Sequence, residues 1–153
     1  MLTCTLSALL PAVFLAGTMC LLWGSDLEAG REVVILQIRV VEGEGLARAA
    51  GTRDARGLTV LIADETGRPV SRATVSFRLP DEGPGGMFRS GLRTEVLTTG
   101  PDGLASVRGM RWNRMPGPFE IRVIAGKDRA RAGILVPQYL SATTARKTVA
   151  AVH

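Results

Sequence analysis

Few side chains in this sequence could hold a proton, a metal or a nucleophile. The single histidine is His153, the last of 153 residues. Ser-His-Asp and Cys-His catalysis both need an imidazole held against its nucleophile, and a base at the end of a polar tail is poorly held. The two cysteines, Cys4 and Cys20, fall in an apolar N-terminal run, so the chain after residue 30 has neither a thiol nucleophile nor a disulfide. Zinc sites use several His or Cys ligands, which cannot be assembled here. Loop carboxylates suit calcium better, and Asp64-Glu65, Asp81-Glu82 and Asp102 sit in predicted loops. None has D-x-D-x-D-G spacing, and an Asp in a turn has the simpler task of hydrogen-bonding its own backbone. Gly83, Gly85 and Gly86 lack the strand-to-helix setting of a phosphate loop. Nothing sets two of the fourteen acids on one concave face for glycoside hydrolysis. The expectation is a non-enzyme with no cofactor and no metal.

Binding residues are easier to find. Arg111, Trp112 and Arg114 place an indole among guanidinium groups in a predicted loop, an arrangement that can anchor a protein or a glycan. The alternative is a Trp folded back over the end of the core. Phe88, in the Gly- and Pro-rich stretch from Pro80 to Gly91, joins them as a candidate contact. The formal charge is +5, with seventeen Arg against two Lys. Arginine binds phosphate and carboxylate through two parallel hydrogen bonds, so a polyanion partner has to be weighed. The arginines stand singly from Arg31 to Arg146, with little aromatic interleaving. That spacing suggests solvated strand faces and no nucleic acid.

The elements that must position these residues read as strands. In Leu58 to Leu79 two alternating runs flank Asp64-Glu65-Thr66-Gly67-Arg68-Pro69. Leu58, Val60 and Ile62 share one face of the first, and Val75, Phe77 and Leu79 share one face of the second. Gly67 and Pro69 suit a tight reversal, so the two runs are expected as adjacent strands. Val33 to Val41 is a β-branched strand, with Val34, Leu36, Ile38 and Val40 on one face. Leu46 to Arg56 reads as a polar connector, and Met87-Phe88-Arg89 as a short edge strand within a long loop. Further strands are expected at Thr94–Thr99, Leu104–Met110, Phe119–Ala125 and Ala130–Val136. Gly100-Pro101-Asp102-Gly103 fits a type I turn, and Arg111 to Pro118 reads as a loop. With no crossover helix to join parallel strands, the fold class is all-β: an immunoglobulin-like antiparallel β-sandwich of seven to eight strands over residues 31–137. Residues 138–153 read as a flexible tail. Residues 1–25 are apolar and uncharged, a signal peptide or an N-terminal membrane anchor. No Lys or Arg precedes the apolar run. The membrane is expected to be met through this segment alone.

Several of these pieces carry a resemblance. Asp64-x-x-Gly67-x-Pro69-Val70, Ala73 to Phe77, Asp102-Gly103-x-Ala105-x-Val107 and Pro116 to Val123 resemble bacterial Ig-like domains of the invasin and intimin type (group 1), over about residues 57–136. The chain is also similar to carboxypeptidase regulatory-like domains in the Gly-x-Pro-Val-x-x-Ala-x-Val segment. The first resemblance implies an extracytoplasmic module used in tandem as a stalk, spacer or adhesion unit. This chain has one such unit and adds the strand Val33–Val41. The expected function is therefore a non-catalytic exported module (periplasmic, cell-surface or extracellular) that contacts another envelope or surface protein. The alternative is a carbohydrate- or ligand-binding accessory domain built on Trp112 and the 80–91 loop, with a glycan as partner.

Overall fold

The computed structural model describes residues 32–143, Val34 excepted, and among them there is no helix. The alternation in the sequence becomes strands in order: β1 (Leu36–Glu42), β2 (Ala47–Ala49), β3 (Leu58–Asp64), β4 (Thr74–Arg78), β5 (Gly86–Met87), β6 (Thr94–Thr98), β7 (Leu104–Val107), β8 (Arg111–Trp112), β9 (Gly117–Lys127) and β10 (Ala130–Ser141). One sheet runs β1-β3-β7 and a second β2-β10-β9-β4-β6, while β5 and β8 form a small two-stranded third. Every pairing is antiparallel except that of β2 with β10, which is parallel.

The two larger sheets share one aliphatic core, in a sandwich-like arrangement. Leu58, Val60 and Ile62 of β3 and Val107 of β7 meet Val75 and Phe77 of β4 and Ile121 and Val123 of β9 in a single cluster. Alternation on β9 puts Phe119, Ile121, Val123 and Ala125 inside and Glu120, Arg122 and Ile124 outside. Fully burying a Val, Leu, Ile or Phe side chain stabilises by about 1.5–3 kcal/mol, so with aromatics scarce the aliphatics carry this core.

Several expectations are corrected. The two runs of Leu58 to Leu79 are not hydrogen-bonded neighbours, because β3 and β4 belong to different sheets. The reversal at Gly67 does form, with the Asp64 N–H donating to Arg68 O at 2.9 Å and the Val70 N–H to Ile62 O at 2.9 Å. A second bend at Arg72, where φ is 55°, then carries the chain across the core. The polar connector contains β2. Arg111–Trp112, expected as loop, pairs with Gly86–Met87, one residue ahead of the expected Met87-Phe88-Arg89 strand. The tail does not begin at 138, since β10 continues to Ser141 with Gln138 and Leu140 buried. Ten strands are present among the described residues, three of them only two or three residues long. The expected signal or anchor at 1–25 and the end of the chain with His153 lie outside the described residues.

The way β1 leads into β2 shows how the sheets are stitched. Register slips between Val40 and Glu42 where β1 pairs β3, a bulge that bends the strand. Gly43 follows at φ +94°, and a Cβ there would stand 2.3 Å from Gly57 O. Only glycine lets the two backbones approach so closely. Beyond it β2 joins the other sheet.

Candidate interaction surfaces

Three connections emerge at one end of the two sheets: residues 50–57 between β2 and β3, 79–93 between β4 and β6, and 108–116 between β7 and β9. They are tied to one another by backbone. The Trp112 N–H donates to Thr52 O at 2.9 Å, the Asn113 N–H to Gly85 O at 2.8 Å, and Arg53 bridges Arg111. The Asn113 side chain adds a donated bond to Gly83 O at 2.7 Å and accepts from the Gly85 and Met115 N–H groups. A stretch rich in Gly and Pro thereby acquires a fixed shape.

This end holds all four residues expected to contact a partner, and it divides them. Arg111 and Arg114 are exposed. Trp112 and Phe88 are 4% and 2% exposed and belong to the core cluster. As candidate contacts these two are corrected, and for Trp112 the folded-back alternative is the one found: the alternating pattern of β8 turns Trp112 inward while Arg111 faces out. The Trp112 ring lies 5.4 Å from the Phe119 ring and has the Arg48 guanidinium 5.1 Å from its centroid. Both neighbours occupy surface that a sugar would need for stacking. The indole N–H is buried without a hydrogen-bond partner among the described residues.

Arg48 is the residue that sequence reasoning missed. It is fully buried at the centre of β2, where it donates from Nε to Gln138 Oε1 at 3.0 Å, from Nη1 to the Asp54 carboxylate and from Nη2 to Gly57 O at 3.4 Å. Gln138 in turn donates to Gly43 O at 2.7 Å. Burial, and secondarily the Arg56 charge, push the Arg48 guanidinium below its ordinary value, yet an arginine stays cationic in a protein. A buried cation with an ion-pair partner and stacked aromatic surface is stable in place and costly to disturb. Its only trace in the sequence is an Arg in Ala47-Arg48-Ala49 with an Asp six residues on, which carries no periodic signal.

The loop carboxylates serve turns. Asp64 Oδ1 accepts from the Thr66 hydroxyl at 2.6 Å and from the Thr66 and Arg68 N–H groups, and the Thr66 hydroxyl above all holds its carboxyl below the usual range against the opposing effect of desolvation. Asp102 accepts from the Leu104 N–H at 3.1 Å and Asp54 from the Arg56 N–H at 2.9 Å. Asp81 pairs with Arg78 at 2.8 Å. Among the described residues no three His, Cys, Asp or Glu side chains are grouped as metal ligands would be.

A second surface is the outer face of the five-stranded sheet. Register places Val96 beside Ser76, Ser76 beside Ile124, Arg122 beside Leu135 and Pro118 beside Tyr139. Val96, Ile124, Leu135 and Tyr139 are between 41% and 59% exposed. An antiparallel sheet with one solvated face ordinarily puts polar side chains there. At the edge of this face a groove of about 720 Å³ is lined by Arg78 and Arg122, by Asp81, Glu82 and Glu120, and by Leu135 among others. The edge strand β6 carries Glu95 on its inward side, bonded by the Ser90 hydroxyl at 2.6 Å. An inward charge on an edge strand discourages further strand pairing, so the face is the more available surface.

No protein-family model matches the chain, and no curated protein matches it either.

Proposed function

We propose that the chain is a non-catalytic, exported immunoglobulin-like module that binds another envelope or surface protein through the outer face of its five-stranded sheet. The observation that carries this reading is the set of apolar side chains left on that face, Val96, Ile124, Leu135 and Tyr139, beside a groove with two arginines in register. Apolar and tyrosine side chains at the centre of a surface, flanked by Arg, are the composition of a binding interface. Arg78 and Arg122 stand opposite one another; Arg78 is already paired with Asp81, which leaves the exposed Arg122 as the cation that an acidic group on a partner would meet.

The immunoglobulin-like assignment is supported by strand order. The pair β3-β7 faces β4, β9 and β10, and β6 extends the second sheet beside β4. This is the order of a B–E pair against C, F and G with an added C′ strand. The first strand is divided, with β1 on one sheet and β2 on the other. Export is supported by the uncharged apolar residues 1–25.

The test pairs cell fractionation of the full chain with affinity capture from envelope membranes by an Ile124→Asp/Leu135→Asp variant. The chain is expected outside the cytoplasm, and the variant, its melting temperature kept, is expected to retain captured proteins at least about tenfold less than the wild type. A cytoplasmic chain, or equal capture by the variant, overturns the reading.

A further inference from the structure

The arginines that stand singly in the sequence are gathered by the fold. The three connections at the end carrying β5 and β8 hold seven of them. Against these stand Asp54, Asp81 and Glu82, with Glu42, Glu44 and Glu95 at the margin. Asp54 is taken up by Arg48 and Asp81 by Arg78, while Arg56 and Arg108 have carboxylates at 3.8 and 4.0 Å. Arg53, Arg89, Arg93, Arg111 and Arg114 are exposed and make no ion pair among the described residues. Arg53 and Arg111 bridge directly and Met87 pairs Arg111, so register sets two guanidinium groups and one thioether in a row. Like charges opposite one another destabilise a free surface, so this row is better suited to an anion than to water.

What decides the kind of anion is the apolar component. Met87, Leu92 and Met115 sit in the same connections and are between 45% and 63% exposed. A soluble polyanion such as a sulfated glycan or a nucleic acid has no use for them, and the aromatics of this end that could stack on bases, Phe88 and Trp112, are buried. Cationic side chains interspersed with flexible apolar ones match a lipid surface, where the cations meet headgroup phosphates and the apolar tips enter the acyl boundary. We infer that this end of the domain docks on an anionic lipid bilayer through Arg53, Arg89, Arg93, Arg111 and Arg114, with Met87, Leu92 and Met115 entering the interface. The contact is independent of the sheet face proposed above.

The experiment is vesicle flotation of the full chain at 0.1 M salt, on phosphatidylcholine alone and on phosphatidylcholine with three tenths phosphatidylglycerol. Using the preference for the anionic vesicles as the readout removes whatever the apolar N-terminal residues add equally to both. Each arginine near an anionic surface contributes about fivefold in partitioning, so Arg53→Glu/Arg111→Glu is expected to reduce the preference by about 25-fold or more. Met87→Ser/Leu92→Ser is expected to weaken anionic-vesicle binding while leaving retention on heparin unchanged, and Ile124→Asp/Leu135→Asp to leave the preference intact. Melting temperatures establish that each variant is folded. Four results would overturn the inference. They are a wild-type preference below about twofold, a preference indifferent to the arginine reversal, vesicle binding indifferent to Met87→Ser/Leu92→Ser, and loss of vesicle binding in 10 mM inorganic phosphate at constant ionic strength. The third would mark a polyelectrolyte site and the fourth a simple phosphate site.

Discussion

The two ends of this domain are built from the same residue types and differ in what those residues are committed to. At the end with the turns Asp64–Val70, Gly100–Gly103 and Asp128–Arg129, four cations (Arg68, Arg72, Lys127, Arg129) face five carboxylates (Glu32, Asp64, Glu65, Asp102, Asp128). The turns there are short, and Asp64 and Asp102 are spent on their own backbones. At the opposite end the connections are long, cations outnumber carboxylates, and Arg48 with Asp54 has been drawn into the interior. One end closes the sandwich at minimal length. The other displays side chains, and its connections need a buried polar anchor to hold them still.

Breaking that anchor is expected to have the largest effect. Asp54→Ala leaves Arg48 buried without its carboxylate and should cost about 3 kcal/mol in urea denaturation, because an uncompensated buried charge is expensive. The paired replacement Arg48→Met/Asp54→Leu should cost less than the single change, since a well-packed apolar pair can substitute for a buried ion pair. If the single change proves neutral, the connections are held by backbone bonds alone.

Glycines give the next contrast, because both ends use a left-handed one under different constraints. Gly103, at φ +71°, would put a Cβ 2.7 Å from Ile62 O and 2.9 Å from the Pro69 side chain, whereas Gly91, at φ +82°, has nothing within 4 Å. Gly91→Ala is expected to cost about 1 kcal/mol for backbone strain alone. Gly103→Ala should cost about 2–3 kcal/mol, strain and collision together. Equal losses in thermal melts would mean that the short-turn end yields as readily as the long-loop end.

The smallest effect is a matter of pH. The Thr66 hydroxyl first, then the backbone N–H groups of Arg68 and Thr66, depress the Asp64 carboxyl in the folded chain. A depressed folded value contributes stability above the unfolded pKa, near about 4 for Asp, and that contribution is lost as pH falls through the folded value. Melting temperatures of wild type and Asp64→Asn should therefore converge below about pH 4 and differ by a constant amount above about pH 5. Curves that stay parallel throughout would mean that the turn does not discriminate between carboxylate and amide.

Much of the fold was legible because period-two alternation is a local property. Val75, Phe77 and Leu79, or Phe119, Ile121 and Val123, declare their buried face from five consecutive residues, and Pro101 with Gly103 declares a turn from four. β2 and β8 were not legible, and β5 was read one residue late, because two or three residues carry no period and such strands exist only where neighbouring strands offer them hydrogen-bonding partners. For the same reason the sequence left Trp112 open between a partner contact and the end of the core. Being flanked by arginines said that its surroundings were polar, and the pairing of Arg111 with Met87 decided which side chain faced out.

Composition and spacing alone therefore determined that this chain would form sheets around an aliphatic core, because each strand's buried face is written in its own residues. Only the tertiary structure decided which arginines stand together. Arg53 and Arg111 are 58 residues apart in the chain and adjacent in space. Electrostatic fields act through distance in space, which sequence separation does not measure until the connections have been folded to one end.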